Sequence, residues 1–122
     1  TYYHIWWKCK KAQTYWSKIR NWLEEMCKIQ IEFRPEIFLL GINVEKYNKE
    51  IIYLIVHVTT AARLALAQRW KGNDMPDEME IIRKIWMCAD MDKLTQELKN
   101  KTESEYYKTW EKFYHWFKKR KE

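Results

Sequence analysis

The stretch KKAQTYWSKIRNWLEEMCK, residues 10–28, reads as one long amphipathic helix. Ala12, Trp16, Ile19, Leu23 and Met26 recur at alternating spacings of four and three, which places them on one face of a 3.6-residue repeat. Tyr15 and Trp22 widen that face. Lys10, Lys11, Lys18, Arg20 and Lys28 fall largely off it. The chain around this helix has the composition of a helical protein. It is 47% hydrophobic over 122 residues, yet holds only two Gly and two Pro. A sheet protein of this length needs many turns, so long helices must dominate. One domain with a single core is expected over 10–122.

The remaining elements follow from punctuation. Ile29-Gln-Ile-Glu-Phe33 alternates apolar and polar but has no obvious strand partner, so it reads as an extended connector laying its apolar side chains on the helices. Arg34-Pro35 stops helix from the left, because the residue before proline is pushed away from helical geometry. Pro35 suits a first helical position, and PEIFLL, residues 35–40, is then a short helix ended by Gly41. The polar bridge 43–48 ends at Asn48, an N-cap for a second long helix from Lys49 to about Lys71, closed by Gly72. Ile52, Ile55, Val58 or Thr59, Ala62 and Leu66 mark its buried side. Its first half is apolar nearly all round, so a central place is expected. The alanines between Ala61 and Ala67 allow close approach of a neighbour.

Asn73-Asp-Met-Pro-Asp77 is the clearest turn. A third helix follows, with Met79, Ile82, Trp86 and Ala89 as its stripe and Ile85 beside it. A break or kink is expected at Asp90-Met-Asp92, with Leu94 and Leu98 continuing the apolar line. Thr102-Glu-Ser-Glu105 matches a capping box. The last helix carries Tyr106, Trp110, Phe113 and Phe117 as a stripe, flanked by Tyr107 and Tyr114, and finishes on Lys118, Lys119, Arg120 and Lys121, where cations suit the helix dipole. The expected fold is all-α: three to four long helices, one short helix and an irregular extended connector near 29–42.

Charge is unevenly spread. Residues 1–34 carry seven Lys/Arg against three acids, a balance of +4, and residues 99–122 carry eight against four, again +4. Residues 35–98 carry eight against ten, a balance of −2. Basic, aromatic-rich ends favour a polyanion, nucleic acid before an anionic membrane surface; a purely solubilising surface gives the same balance. No apolar run reaches the roughly 18 residues of a spanning helix, so no membrane partner is expected. Cys9, Cys27 and Cys88 form no disulfide framework, which fits a reducing, intracellular setting.

His4-Ile-Trp-Trp-Lys-Cys9 precedes the first helix. Four residues separate His4 from Cys9, the spacing of one half of a small zinc module. Thr1 is not an initiator Met, and the expectation is a fragment cut inside or just after a Cys/His cluster. The other reading makes His4 and Cys9 polar and packing residues beside two anchoring tryptophans. Tyr2, Tyr3, Trp6 and Trp7 adjoin Lys8, Lys10 and Lys11, and are placed to stack on bases or to pack on what precedes them.

The order of these features resembles the C-terminal segment of the reverse-transcriptase/endonuclease polyprotein of vertebrate LINE-type (non-LTR) retrotransposons. The resemblance rests on the H-x4-C with its internal Trp pair, on Phe33-Arg-Pro-Glu-Ile-Phe-Leu-Leu-Gly-Ile42, on Thr60-Ala-Ala-Arg63 ahead of Trp70-Lys71, and on Met91-Asp-Lys-Leu-Thr95 with the aromatic tail. It covers essentially the whole chain. It implies that residues 1–9 are the remnant of a zinc-knuckle-like Cys/Cys/His/Cys motif, of which only His4 and Cys9 have counterparts here. Zinc then belongs to a longer protein, and this fragment holds no cofactor. The resemblance also implies a non-catalytic accessory segment that helps bind template RNA, and single-stranded DNA, during target-primed reverse transcription. Upstream reverse-transcriptase domains are its partners, and cytoplasm and nucleus its location.

The residues give an enzyme little support. Two glycines cannot build a phosphate loop. His4, His57 and His115 lie in three separate segments, and His57, inside an apolar helix, reads as a satisfied interior residue. Asp90 and Asp92 point to different sides of a helix and do not form a two-metal pair. Cys27 and Cys88 read as small buried residues, and Trp16, Trp86 and Trp110 as core. The expected nucleic-acid contacts are Lys8, Lys10, Lys11, Lys18, Arg20, Trp6 and Trp7 at one end, and Lys118, Lys119, Arg120 and Lys121 at the other. The alternative is a helical interaction module that docks on the upstream polymerase or a host factor, with its basic ends only keeping it soluble.

Overall fold

The computed structural model describes residues 3–42, 44–69, 72, 74–100 and 103–121, with the backbone alone for His4 and for 103–105. Among these the chain is all-α, with four long helices: α1 (Lys10–Cys27), α2 (Lys49–Arg69), α3 (Glu78–Leu98) and α4 (Glu103–Lys121). Two five-residue π-helical turns, His4–Lys8 and Glu36–Leu40, precede α1 and α2. The expectations placed on Tyr2, Asn43, Trp70, Lys71, Asn73 and the Thr102 cap lie outside the described residues.

Helix α1 forms as its spacing dictates. Ala12, Trp16, Ile19, Leu23 and Met26 are all buried, and Tyr15 and Trp22 join them. Lys28 ends it in the left-handed conformation, φ 59°, with its N–H returned to the Glu24 carbonyl at 2.8 Å. The connector then runs without regular structure, pinned by side chains that satisfy its free donors. Glu24 Oε2 accepts from the Ile31 N–H at 2.9 Å, and the Tyr47 hydroxyl accepts from the Glu32 N–H at 3.1 Å. Ile31 is buried, and Phe33 packs on the core.

The turn Glu36–Leu40 drives Ile37 and Phe38 to full burial. Gly41 closes it at φ 67°, and the Ile42 N–H reaches back to the Glu36 carbonyl at 3.1 Å. That six-to-one closure needs a left-handed residue, which glycine adopts without a Cβ penalty. Asn48 Oδ1 accepts from the Ile51 N–H at 3.0 Å and caps α2.

Helix α2 is central: it packs against α1, α3, α4 and the Glu36–Leu40 turn. Ala61, Ala62 and Ala65 are buried at these contacts, where small side chains let backbones approach. The Tyr15 hydroxyl donates to the Ala62 carbonyl at 2.7 Å and ties α1 to α2. By length and composition α2 is long and apolar enough to cross a membrane, unlike the sequence expectation; half of its apolar window is buried inside the bundle.

Helix α3 departs in part from its expected face. Ile81, Ile82, Ile85 and Ala89 are its buried residues. Met79 is 57% exposed, and Leu94 and Leu98 are exposed too. Ile82, Ile85 and Ala89 are buried as expected, and Ile81 rather than Met79 completes the buried side. No break occurs at Asp90-Met-Asp92, since Asp92 Oδ2 accepts from the Trp110 indole N–H at 2.8 Å and is held on α4. Asp77 caps the helix, accepting from the Glu80 N–H at 2.8 Å. On α4, Tyr106, Trp110, Phe113 and Trp116 are buried and Phe117 is half-buried. Trp86 is half-buried among the Phe113, Tyr114 and Phe117 rings, at 4.9–5.6 Å.

Candidate nucleic-acid interface

The N-terminal residues divide once folded. Trp7 is 6% exposed, with its ring 4.6 Å from that of Phe33 and 6.0 Å from that of Phe38. A ring packed on both neighbours offers no face to a base, so Trp7 is a core residue. Trp6 is half-buried against the core; its carbonyl accepts from the Trp16 indole at 2.7 Å, and its own indole N–H is buried with no partner among the described residues. The Gln13 side chain donates to the Trp7 carbonyl at 2.6 Å. The two carbonyls of this turn thus use α1 side chains as partners. Lys8 is exposed beside the Tyr3 ring at 5.6 Å, and Lys10 and Lys11 are exposed on the first turn of α1.

Arg20 faces inward. Its guanidinium lies over the Phe33 ring at 4.7 Å, and its Nε is buried with no partner among the described residues. That stacking braces the connector and withdraws Arg20 from phosphate contact. Lys18 pairs with Glu78 at 3.8 Å. The same carboxylate binds Arg120 of α4, whose guanidinium sits over the Trp22 and Trp116 rings at 5.1 and 5.3 Å. Arg120 is therefore a clamp between α1, α3 and α4. Lys118 and Lys119 are exposed, and Lys121 lies over the Phe117 ring at 4.8 Å.

These contacts set the end of α1 beside α4. Between α1 and α4 lies a groove of about 850 Å³ lined by Lys28, Lys112, Lys118, Lys119 and Arg120, five cations against the two carboxylates Glu25 and Glu111. Tyr107 and His115 stand exposed on its α4 wall. Trp116 forms part of the groove and donates its indole N–H to Glu25 Oε1 at 2.8 Å, which fixes the helix pair. On the other flank of α1, Lys10, Lys18 and Arg120 line a shallower cleft of about 590 Å³ with Trp22. A groove with clustered cations and accessible rings has the chemistry to follow a phosphate backbone and stack unpaired bases.

The sequence reading of this site missed Lys28, Lys112, Tyr107 and His115. Tyr107, Glu111, His115 and Lys118 recur at spacings of four, four and three, which places them on one face of α4. That period was the available signal.

The metal expectation on His4 and Cys9 includes the His4 side chain, which lies outside the described residues. A closed structural zinc site needs four ligands, and among the described residues no group of three His, Cys, Asp or Glu side chains is placed to hold an ion. Cys9 is exposed at the N-cap of α1, where the backbone N–H groups of Ala12 and Lys11 hold its thiol below the ordinary value. Burial pushes the Cys27 thiol up to about 11. No family model and no solved structure matches the chain.

Proposed function

We propose that this chain is a non-catalytic accessory segment of a LINE-type reverse transcriptase, which binds single-stranded nucleic acid, chiefly template RNA, along the α1/α4 groove. The observation that supports this reading is the cluster of four α4 cations with Lys28 from just past α1, beside exposed Tyr107 and His115, on that groove. Phosphates meet Lys28, Lys112, Lys118 and Lys119, and bases stack on Tyr107 and His115. Arg120, Trp22 and Trp116 hold the groove open rather than contact the strand.

The test is direct. Lys28, Lys112, Lys118 and Lys119 are replaced by Glu, and Tyr107 separately by Ala, and affinity for single-stranded RNA is measured beside the melting temperature. All five side chains reach solvent, so the fold is expected to persist while the quadruple variant loses at least tenfold in affinity. Base–aromatic stacking is worth about 1–3 kcal/mol, so Tyr107→Ala is expected to weaken binding roughly five- to a hundredfold. Unchanged affinity in the quadruple variant overturns the assignment.

One further feature favours the interaction module. Met87, Met91, Leu94 and Leu98 are exposed at spacings of four, three and four along α3, an apolar seam flanked by Asp90 and Glu97. In that reading α3 docks on the upstream polymerase or a host factor. Met91→Glu with Leu98→Glu then abolishes the association and leaves RNA affinity untouched.

A further inference from the structure

A second cavity, of about 400 Å³, lies where the start of α2, the end of α3 and α4 meet. Small-molecule sites span roughly 300–1,000 Å³, so this one suits a compact ligand. Its wall is mostly polar, and its residues make three different demands on an occupant.

The first demand is charge. Lys49, Lys99 and Lys108 come to the cavity from three different helices or their ends. Among the described residues none of the three forms an ion pair. The cavity also holds Glu50 and Asp92. Asp92 is already engaged by the Trp110 indole at 2.8 Å, so its carboxylate serves the fold. Three cations against two carboxylates leave the cavity with a positive balance of one, which favours an anion.

The second demand is a hydrogen-bond donor. Gln96 Oε1 is buried and has no partner among the described residues. Its Nε2 faces Asp92 Oδ1 at 3.5 Å, which leaves the oxygen as the unmatched atom. A buried acceptor without a donor is costly, and a ligand N–H removes that cost. The third demand is a flat apolar face. The Tyr53 ring is half-exposed at the cavity with the Lys49 ammonium 5.8 Å from its centroid, and the His57 imidazole lies 5.3 Å from the Trp110 ring.

We propose that this cavity binds a nucleoside monophosphate, with its phosphate on Lys49, Lys99 and Lys108, its base against Tyr53, and an exocyclic amine donating to Gln96 Oε1. A nucleotide is the ligand class that supplies an anion, an aromatic plane and an amine donor in one compact molecule. The source is a free nucleotide or the phosphorylated end of a strand, and the recognition chemistry is shared. This inference uses residues outside the α1/α4 groove, so its failure leaves the groove reading standing, and the reverse also holds.

The experiment titrates the full chain with AMP, adenosine and inorganic phosphate by calorimetry. AMP is expected to bind at least tenfold more tightly than either fragment. Lys99→Glu with Lys108→Glu, both exposed positions, is expected to cut AMP affinity at least tenfold with unchanged helicity. Gln96→Leu is expected to weaken AMP several-fold and leave inorganic phosphate unaffected, a split that general charge attraction does not produce. A 5′-phosphorylated trinucleotide that displaces AMP identifies a strand end as the source, and one that does not identifies the free nucleotide. The proposal is overturned by no AMP binding at millimolar concentration, by AMP binding no better than phosphate, or by AMP affinity unchanged in both variants.

Discussion

Arg63 illustrates a charge used to finish a fold. It projects from α2 toward the end of the Glu36–Leu40 turn, where helical carbonyls run out of N–H partners. Nη1 donates to the Phe38 carbonyl at 2.7 Å, and Nη2 donates to Thr60 Oγ1 at 2.9 Å. Hydrogen bonds to a charged group are worth about 1.5–3 kcal/mol, so Arg63→Ala is expected to destabilise by that order in a denaturant titration. Arg63→Lys keeps the charge but loses the fork, and is expected to recover only part. His57 offers a pH readout. Burial holds its imidazole below the ordinary 6.5, with the Asp92 carboxylate opposing. Below 6.5 the unfolded chain therefore binds more protons than the folded one, and stability falls as pH is lowered through that value. Urea titrations between pH 7.5 and 5 are expected to show a shallower fall for His57→Gln than for the unaltered chain. Equal slopes would mean that the imidazole is not buried as described.

Helix ends and helix faces were legible to different degrees. The cap at Asn48 and the stop at Gly41 follow from chemistry local to a few residues, and the structure has both; Asp77, read only as the end of a turn, is in the structure the cap of α3. Asp77→Ala is expected to cost about 1 kcal/mol, the usual worth of such a cap. Lys28 is a less comfortable stop, since a non-glycine residue at φ 59° carries a left-handed penalty of about 1–2 kcal/mol. Glycine there gives back about 0.5–1 kcal/mol in chain entropy. Lys28→Gly is thus expected to stabilise by up to about 1 kcal/mol while weakening RNA binding, and a melting curve beside a binding curve checks both. On α3 the period places Ile82, Ile85 and Ala89 inside, as the structure has them, but it also admits Met79 and Trp86, of which Met79 is exposed and Trp86 half-buried, while Ile81 is buried. Which of two adjacent stripes is buried depends on what α2 and α4 present to it.

Assembled, the bundle sets Lys28, just past α1, beside the cations of α4 on one surface. If single-stranded RNA lies along the α1/α4 groove, log affinity falls with log salt by about 0.7 for each phosphate neutralised. Lys118→Ala with Lys119→Ala is then expected to reduce that slope by about 1.4, twice the single-strand value; a slope that does not move assigns the two lysines to solvent. The all-α class, the long helices and the irregular connector could be read from composition, apolar period and the Gly and Pro positions, because each is set by interactions within a few residues of chain. So could the buried Trp16 and Trp110. The separation of Lys18, Arg20 and Arg120 from the other cations could not. Their charges are spent on Glu78, Phe33, Trp22 and Trp116, partners lying up to ninety-eight positions away along the chain, from Arg120 to Trp22. The same holds for Trp7 and for the cavity at Gln96: burial is a property of what packs on a residue, and the chain's local pattern carries no record of that neighbour.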